Sequence, residues 1–115
     1  MLNVLIVDDD AMVAELNRLY VARVPGFRCS GSASTLSQAQ EMINDPQQEI
    51  DLVLLFTDPN TTDPWDDAQM IETIRHCDRH NVPIATNLAS AEMLIMGLQR
   101  GDLDWREMLH NKNKF

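Results

Sequence analysis

Positive charge is scarce in this chain. Its 115 residues carry nine Lys and Arg against eighteen Asp and Glu, a formal net charge of −9, and its two lysines are Lys112 and Lys114. A nucleic-acid surface needs clustered cations to displace counterions from phosphates, and no such cluster is present, so nucleic acid is not an expected partner. Long apolar runs are missing as well. None approaches the roughly 20 residues of a membrane span, and residues 1–7 are too short and lack the basic flank of a signal peptide. No membrane partner is expected. Cysteine is limited to Cys29 and Cys77, isolated and without motif spacing, which points to a reduced, cytoplasmic setting rather than a disulfide framework. Internal repeats, low-complexity stretches and linkers are absent, so residues 1–115 read as one domain.

What is present is alternation. The chain is 44% hydrophobic, and short apolar runs alternate with helical periodicity, the pattern of βαβ units on a parallel sheet. Residues 4–7 form a first strand. A helix follows with Met12, Val13, Leu16, Leu19 and Tyr20 on one stripe, expected to be buried. Pro25-Gly26 turns the chain into a short strand over 27–31, whose low apolar content suits a sheet edge. Ser34 or Thr35 caps a second helix that buries Leu36, Ala39 and Ile43, and Asp45-Pro46 ends it. Residues 52–56 are continuously apolar, as in a strand covered on both faces. After a polar loop over 57–65, Asp66 or Asp67 caps a third helix with Met70, Ile71, Ile74 and Cys77 on one side. Residues 82–86 form a fourth strand, placed at an edge by Pro83. Ser90 caps a helix carrying Ala91, Leu94, Ile95 and Leu98, which Gly101 stops. Residues 103–109 read as a short helix or turn, and 111–115 as a polar tail.

The first strand runs into Asp8-Asp9-Asp10. With Asn3-Val-Leu-Ile-Val before it, Ala11 to Tyr20, Pro25-Gly-Phe27, Ala33-Ser-Thr-Leu36 and Ile50-Asp-Leu-Val-Leu-Leu55, this half resembles the receiver domain of bacterial response regulators. The match is to the subgroup that answers citrate and C4-dicarboxylate sensor kinases. The resemblance implies that Asp8 and Asp9 hold Mg²⁺ beside an aspartate that accepts a phosphoryl group. A hard cation such as Mg²⁺ takes carboxylate, water and phosphate oxygens, and it stabilises the charge in transfer. At the acceptor position stands Phe56, which has no nucleophile. The family's later lysine has no counterpart. Phosphoryl acceptance at that position is excluded by chemistry.

Phe56-Thr-Asp-Pro59, Pro64, the helix from Ile71 to Cys77, Asn81-Val-Pro-Ile-Ala-Thr-Asn87, Ala91-Glu-Met-Leu-Ile95 and Asp102-Leu-Asp-Trp-Arg106 resemble methylglyoxal synthase. That lyase eliminates phosphate from dihydroxyacetone phosphate. The family's phosphate-gripping loops and main catalytic aspartate lie upstream of the matched part, where this chain has receiver sequence. Asp58 stands at an active-site aspartate of the family, but Trp65 replaces its histidine and Ala68 a second aspartate. Elimination needs a base and an anion site, and only Asp58 remains.

Receivers order their strands 2-1-3-4-5 and the synthase 3-2-1-4-5. Joining the first half of one to the second half of the other gives 2-1-3-4, which right-handed crossovers permit. The expectation is a flavodoxin-like three-layer α/β/α domain with a four-stranded parallel sheet, receiver-like over 1–55, synthase-like over 56–110, with 111–115 as tail. Its expected function is that of a recombined or engineered chimera, not an enzyme, without catalysis or phosphorelay and without a small-molecule substrate, a monomer or weak homodimer. Asp8, Asp9 and Asp58 form either a weak Mg²⁺ site or a solvated acidic rim, with the rim favoured because the third family ligand is missing. Alternatives are a degenerate receiver that docks a sensor kinase through residues 11–24, and a residual methylglyoxal synthase.

Smaller groups have plain readings. Thr86 ends the fourth strand and can add a hydrogen bond to the acidic rim, and Asn87 caps the following turn. His76 and His80, at i and i+4, can chelate zinc, but without two further ligands they read as an exposed pair, with Cys77 turned to the core. Trp65 and Trp105 read as packing residues.

Overall fold

Strand hydrogen bonds in the computed structural model, which describes residues 1–56 and 67–101, join one sheet of order β2-β1-β3-β4 with every pairing parallel. The elements are β1 (Leu2–Val7), α1 (Ala11–Ala22), β2 (Phe27–Ala33), α2 (Leu36–Asn44), β3 (Leu52–Leu54), α3 (Asp67–Arg79), β4 (Ile84–Ala85) and α4 (Leu88–Arg100). This is the expected 2-1-3-4 flavodoxin-like arrangement. Trp65, Trp105, Asp58 and the segment 103–109 lie outside the described residues.

Alternation along the central strands builds two cores. Val4, Ile6, Leu52 and Leu54 face α1 and α4, where Val21, Ala91, Ile95 and Leu98 meet them. Leu5, Val7, Val53 and Leu55 face α2 and α3, against Leu36, Ala39, Ile43 and Cys77. Because side chains alternate with period 2, a strand covered on both faces must be apolar throughout, as β1 and β3 are.

β2 reaches Ala33, longer than the expected 27–31. Its polar residues hide it in the sequence because it is an edge strand with exposed positions. A bulge carries it across the sheet: Val4 pairs with Cys29 and Leu5 with Gly31, so Ser30 is the extra residue. One extra residue inverts the facing of everything after it. Phe27 and Cys29 therefore point to the α1 side, whereas Ala33 points to the α2 side. Gly31 suits the crossing point, since a Cβ there would lie 2.6 Å from Cε of Met42.

α1 departs from the expectation. Met12, Val13, Leu16, Leu19 and Tyr20 are all exposed, Leu16 at 60% and Met12 at 75%. Val21 is buried instead, with Ala14 and Val24 packed beside it. Small and branched residues at i, i+7 and i+10 let the helix lie close on β1 and β2, and the larger apolar stripe turns outward. Ile71 likewise faces solvent, and Thr73 takes the buried place on α3. At α4, Asn87 is the N-cap and accepts from the Ser90 N–H at 2.9 Å; Ser90, the expected cap, lies within the first turn. Thr35 caps α2 by accepting from the Gln38 N–H. Gly101 ends α4 with φ of 78°, a left-handed turn that a Cβ would oppose.

Candidate functional site

β1 delivers Asp8 to the carboxyl end of the sheet, at the switch point between β1 and β3 where ligands of open α/β sheets bind. Asp8 is 8% exposed. Its Oδ1 accepts from the Asp10 N–H at 2.8 Å. Asp10 is committed to the helix: its Oδ1 accepts from the N–H groups of Met12 and Val13, which caps α1. Asp9 is exposed. Burial pushes the Asp8 carboxyl up from its ordinary range; the Asp10 N–H works against this, and the neighbouring Asp9 and Asp10 charges add to the rise.

Phe56 lies two residues past the end of β3. It continues the parity of Leu52 and Leu54 and packs, half-buried, against the α1/α4-side core. An aromatic ring thus leans into the core at the position that the sequence resemblance assigns to a receiver's acceptor carboxylate. Thr86 follows β4 and is half-buried. Asp58, the third residue of the expected acidic set, lies outside the described residues. Among those described, no three His, Cys, Asp or Glu side chains are grouped to hold a metal. Asp8 and Asp9 therefore supply two carboxylates, one of them already engaged by a backbone donor.

A cleft of about 390 Å³ opens beside Asp8 and Asp9 between α1 and β2, with Arg18, Cys29, Ser32 and Ser34 on its walls. Sequence reasoning missed it, because its walls come from one helix and a strand whose full length was hidden. Arg18 donates to Glu15 through Nε and Nη2, so the cleft's cation is held by a carboxylate on its own helix.

Of the two histidines expected to be exposed, His80 is and His76 is not. His76 is 14% exposed at its side chain, and both rings meet one residue of α2: His76 Nδ1 lies 3.1 Å and His80 Nε2 3.0 Å from Asn44 Oδ1. Near them the Thr73 hydroxyl donates to the Gln69 carbonyl and accepts from Gln40 Nε2. These contacts join α2 to α3 across the boundary between the two halves. Thirty-two residues or more separate Asn44 from each ring, so no local pattern could have signalled the meeting. Cys77 is fully buried, and burial pushes its thiol up to about 12.

No family model matches this chain. The response regulator domain of Thermotoga maritima CheB aligns with 87% of this chain and 92% of its own, at 16% identity and a TM-score of 0.47. Among curated proteins, the transcriptional regulatory protein DcuR of Escherichia coli K12 is 66% identical over 55 residues, 48% of this chain and 23% of DcuR. Methylglyoxal synthase of Geobacillus thermodenitrificans is 46% identical over 68 residues, 59% of this chain and 46% of the synthase; that of Brevibacillus brevis is 41% identical over 68 residues. The chain spans about a quarter of the first relative's length and about half of the second's. It is therefore similar to a transcriptional regulatory protein over one part and to methylglyoxal synthase over another.

Proposed function

We propose that this chain is a recombined or engineered α/β domain that performs neither phosphorelay nor catalysis, in which Asp8, Asp9 and Asp58 form a solvated acidic rim whose residual chemistry is a weak affinity for divalent cations. The observation that carries this reading is Phe56, whose ring packs into the core at the position of the receiver acceptor. A phosphoryl group needs a nucleophilic oxygen, and an aromatic ring offers none. Arg18, the basic group in the cleft wall, is tied to Glu15, which leaves a poor anion site for phosphate released from a triose phosphate. Among the described residues no helix is long and apolar enough to cross a membrane, and the acidic balance disfavours nucleic acid. The chain is read as a monomer or weak homodimer without a small-molecule substrate.

The test is an amide NMR titration with Mg²⁺, paired with acetyl phosphate treatment and a phosphate-release assay on dihydroxyacetone phosphate. Saturable shifts at Asp8, Asp9 and Thr86, an unchanged intact mass, and phosphate release at background are the expected results. A phosphoryl adduct or release above background would overturn the inert reading, and a spectrum indifferent to Mg²⁺ would remove the cation site.

A second reading draws on α1. A helix that turns Met12, Leu16 and Leu19 to solvent carries the kind of apolar patch that marks a protein-binding surface. This supports a degenerate receiver that still docks a sensor kinase through residues 11–24. Binding of the kinase's dimerisation domain, lost on Leu16→Gln, is the result expected of that reading.

A further inference from the structure

The α2–α3 contact brings two imidazole nitrogens to one amide oxygen. His76 stands in the last turn of α3 and His80 directly follows the helix, four residues on, which brings both rings to the same side. Their Nδ1 and Nε2 atoms both come within about 3 Å of the Asn44 side-chain oxygen, which arrives from the end of α2. No third His, Cys, Asp or Glu joins them among the described residues; the third donor is the amide.

The tautomer of His76 is set by two neighbours of opposite character. Glu72 Oε1 lies 3.4 Å from Nε2, and an ionised carboxylate only accepts, so Nε2 carries the proton. Arg79 Nη1 lies 3.2 Å from Nδ1, and a guanidinium only donates, so Nδ1 presents a lone pair. That lone pair also faces the Asn44 amide. A carboxylate behind one imidazole nitrogen with a lone pair on the other is the arrangement that orients metal-ligating histidines; here a cation would displace Arg79 from that lone pair. The amide oxygen is the atom that faces both rings.

We propose that His76 Nδ1, His80 Nε2 and the side-chain oxygen of Asn44 bind a first-row transition-metal cation that pins α2 to α3. Imidazole nitrogen with one amide oxygen suits Zn²⁺, Ni²⁺ and Cu²⁺ rather than Mg²⁺, and affinity rises toward Cu²⁺. Bonds of about 2.0–2.1 Å to a tetrahedral zinc put neighbouring ligand atoms about 3.3 Å apart, close to the 3.1 and 3.0 Å that separate the two ring nitrogens from the amide oxygen. Arg79, exposed on the helix surface, leaves Nδ1 and keeps Glu72 as its partner, while water completes the coordination. The cation joins a side chain from the receiver-like half to two from the synthase-like half, so binding strengthens the contact between them.

The test uses Zn²⁺ as the probe on the whole chain, read by calorimetry and by the melting temperature, with EDTA reversal. Zinc in hundredfold excess over its dissociation constant should raise the melting temperature by about 5 °C or more. His80→Gln, at an exposed position, should weaken binding at least tenfold. Asn44→Asp replaces the amide oxygen with a carboxylate and should tighten it several-fold. His110→Gln and Asp8→Asn should leave it unchanged. Equal affinity in the parent and His80→Gln overturns the site, as does an Asn44→Asp variant no tighter than the parent, and so does loss of binding in either control. The readout is independent of the Mg²⁺ test at Asp8 and Asp9, so either site can fail alone.

Discussion

Asp8 sits almost out of solvent at the end of β1, next to two further carboxylates, with one backbone N–H to stabilise its charge. Desolvation raises its folded-state value above the ordinary 3.8. A raised value means the native chain holds this proton more tightly than the unfolded chain. Stability therefore falls as pH rises through the interval between the two values, and the whole cost is present above it. Asp8→Asn removes the charge and keeps an oxygen for the Asp10 N–H. It should gain about 0.5–2 kcal/mol at neutral pH, and the gain should shrink as pH falls toward 3.8. Urea midpoints measured across that range check both statements; a variant no more stable than the parent at neutral pH contradicts them. Asp8 itself was legible in the sequence because an apolar run ends on it. Its burial was not, since that depends on β2 and α1 closing around it.

Elements differ in how openly they declare themselves, and α1 and α2 show why. On α2 one stripe is apolar and the other polar, so Leu36, Ala39 and Ile43 could face only inward. α1 carries two apolar stripes, and periodicity selects the larger, while the sheet takes the one whose small residues permit close approach. The distinction is measurable. Leu16→Gln should change stability by no more than about 0.5 kcal/mol, as at a surface position, whereas Val21→Ala should cost about 2–3 kcal/mol. A Leu16→Gln loss of the Val21→Ala size in chemical denaturation would restore the sequence-based facing. On α3 the buried Thr73 hydroxyl accepts from Gln40 and donates to the Gln69 carbonyl. Thr73→Val keeps the shape and strands the Gln40 amide, so the loss should be about 1–2 kcal/mol, and Gln40→Leu in the same background should recover part of it. Failure of that recovery would mean the hydroxyl contributes through its own helix alone.

At the scale of the molecule, strand order was legible because two α/β patterns constrain it from either side, and the edges fell where β2 and β4 now lie. The α2–α3 contact was not legible, because Asn44 and Thr73 acquire partners only once the sheet has brought their helices together. That same assembly has a consequence for a severed chain. β3 ends the first half, yet its Leu54 is covered by Ala91 and Ile95 from the second, and its Val53, with Leu55 just after the strand, shares a core with Cys77 and Val82. Each fragment alone would leave an apolar face wet. A chain cut after Phe56 should therefore behave as a split reporter: two pieces unfolded apart, complementing each other on mixing, with the partners' association read as a return of native amide dispersion.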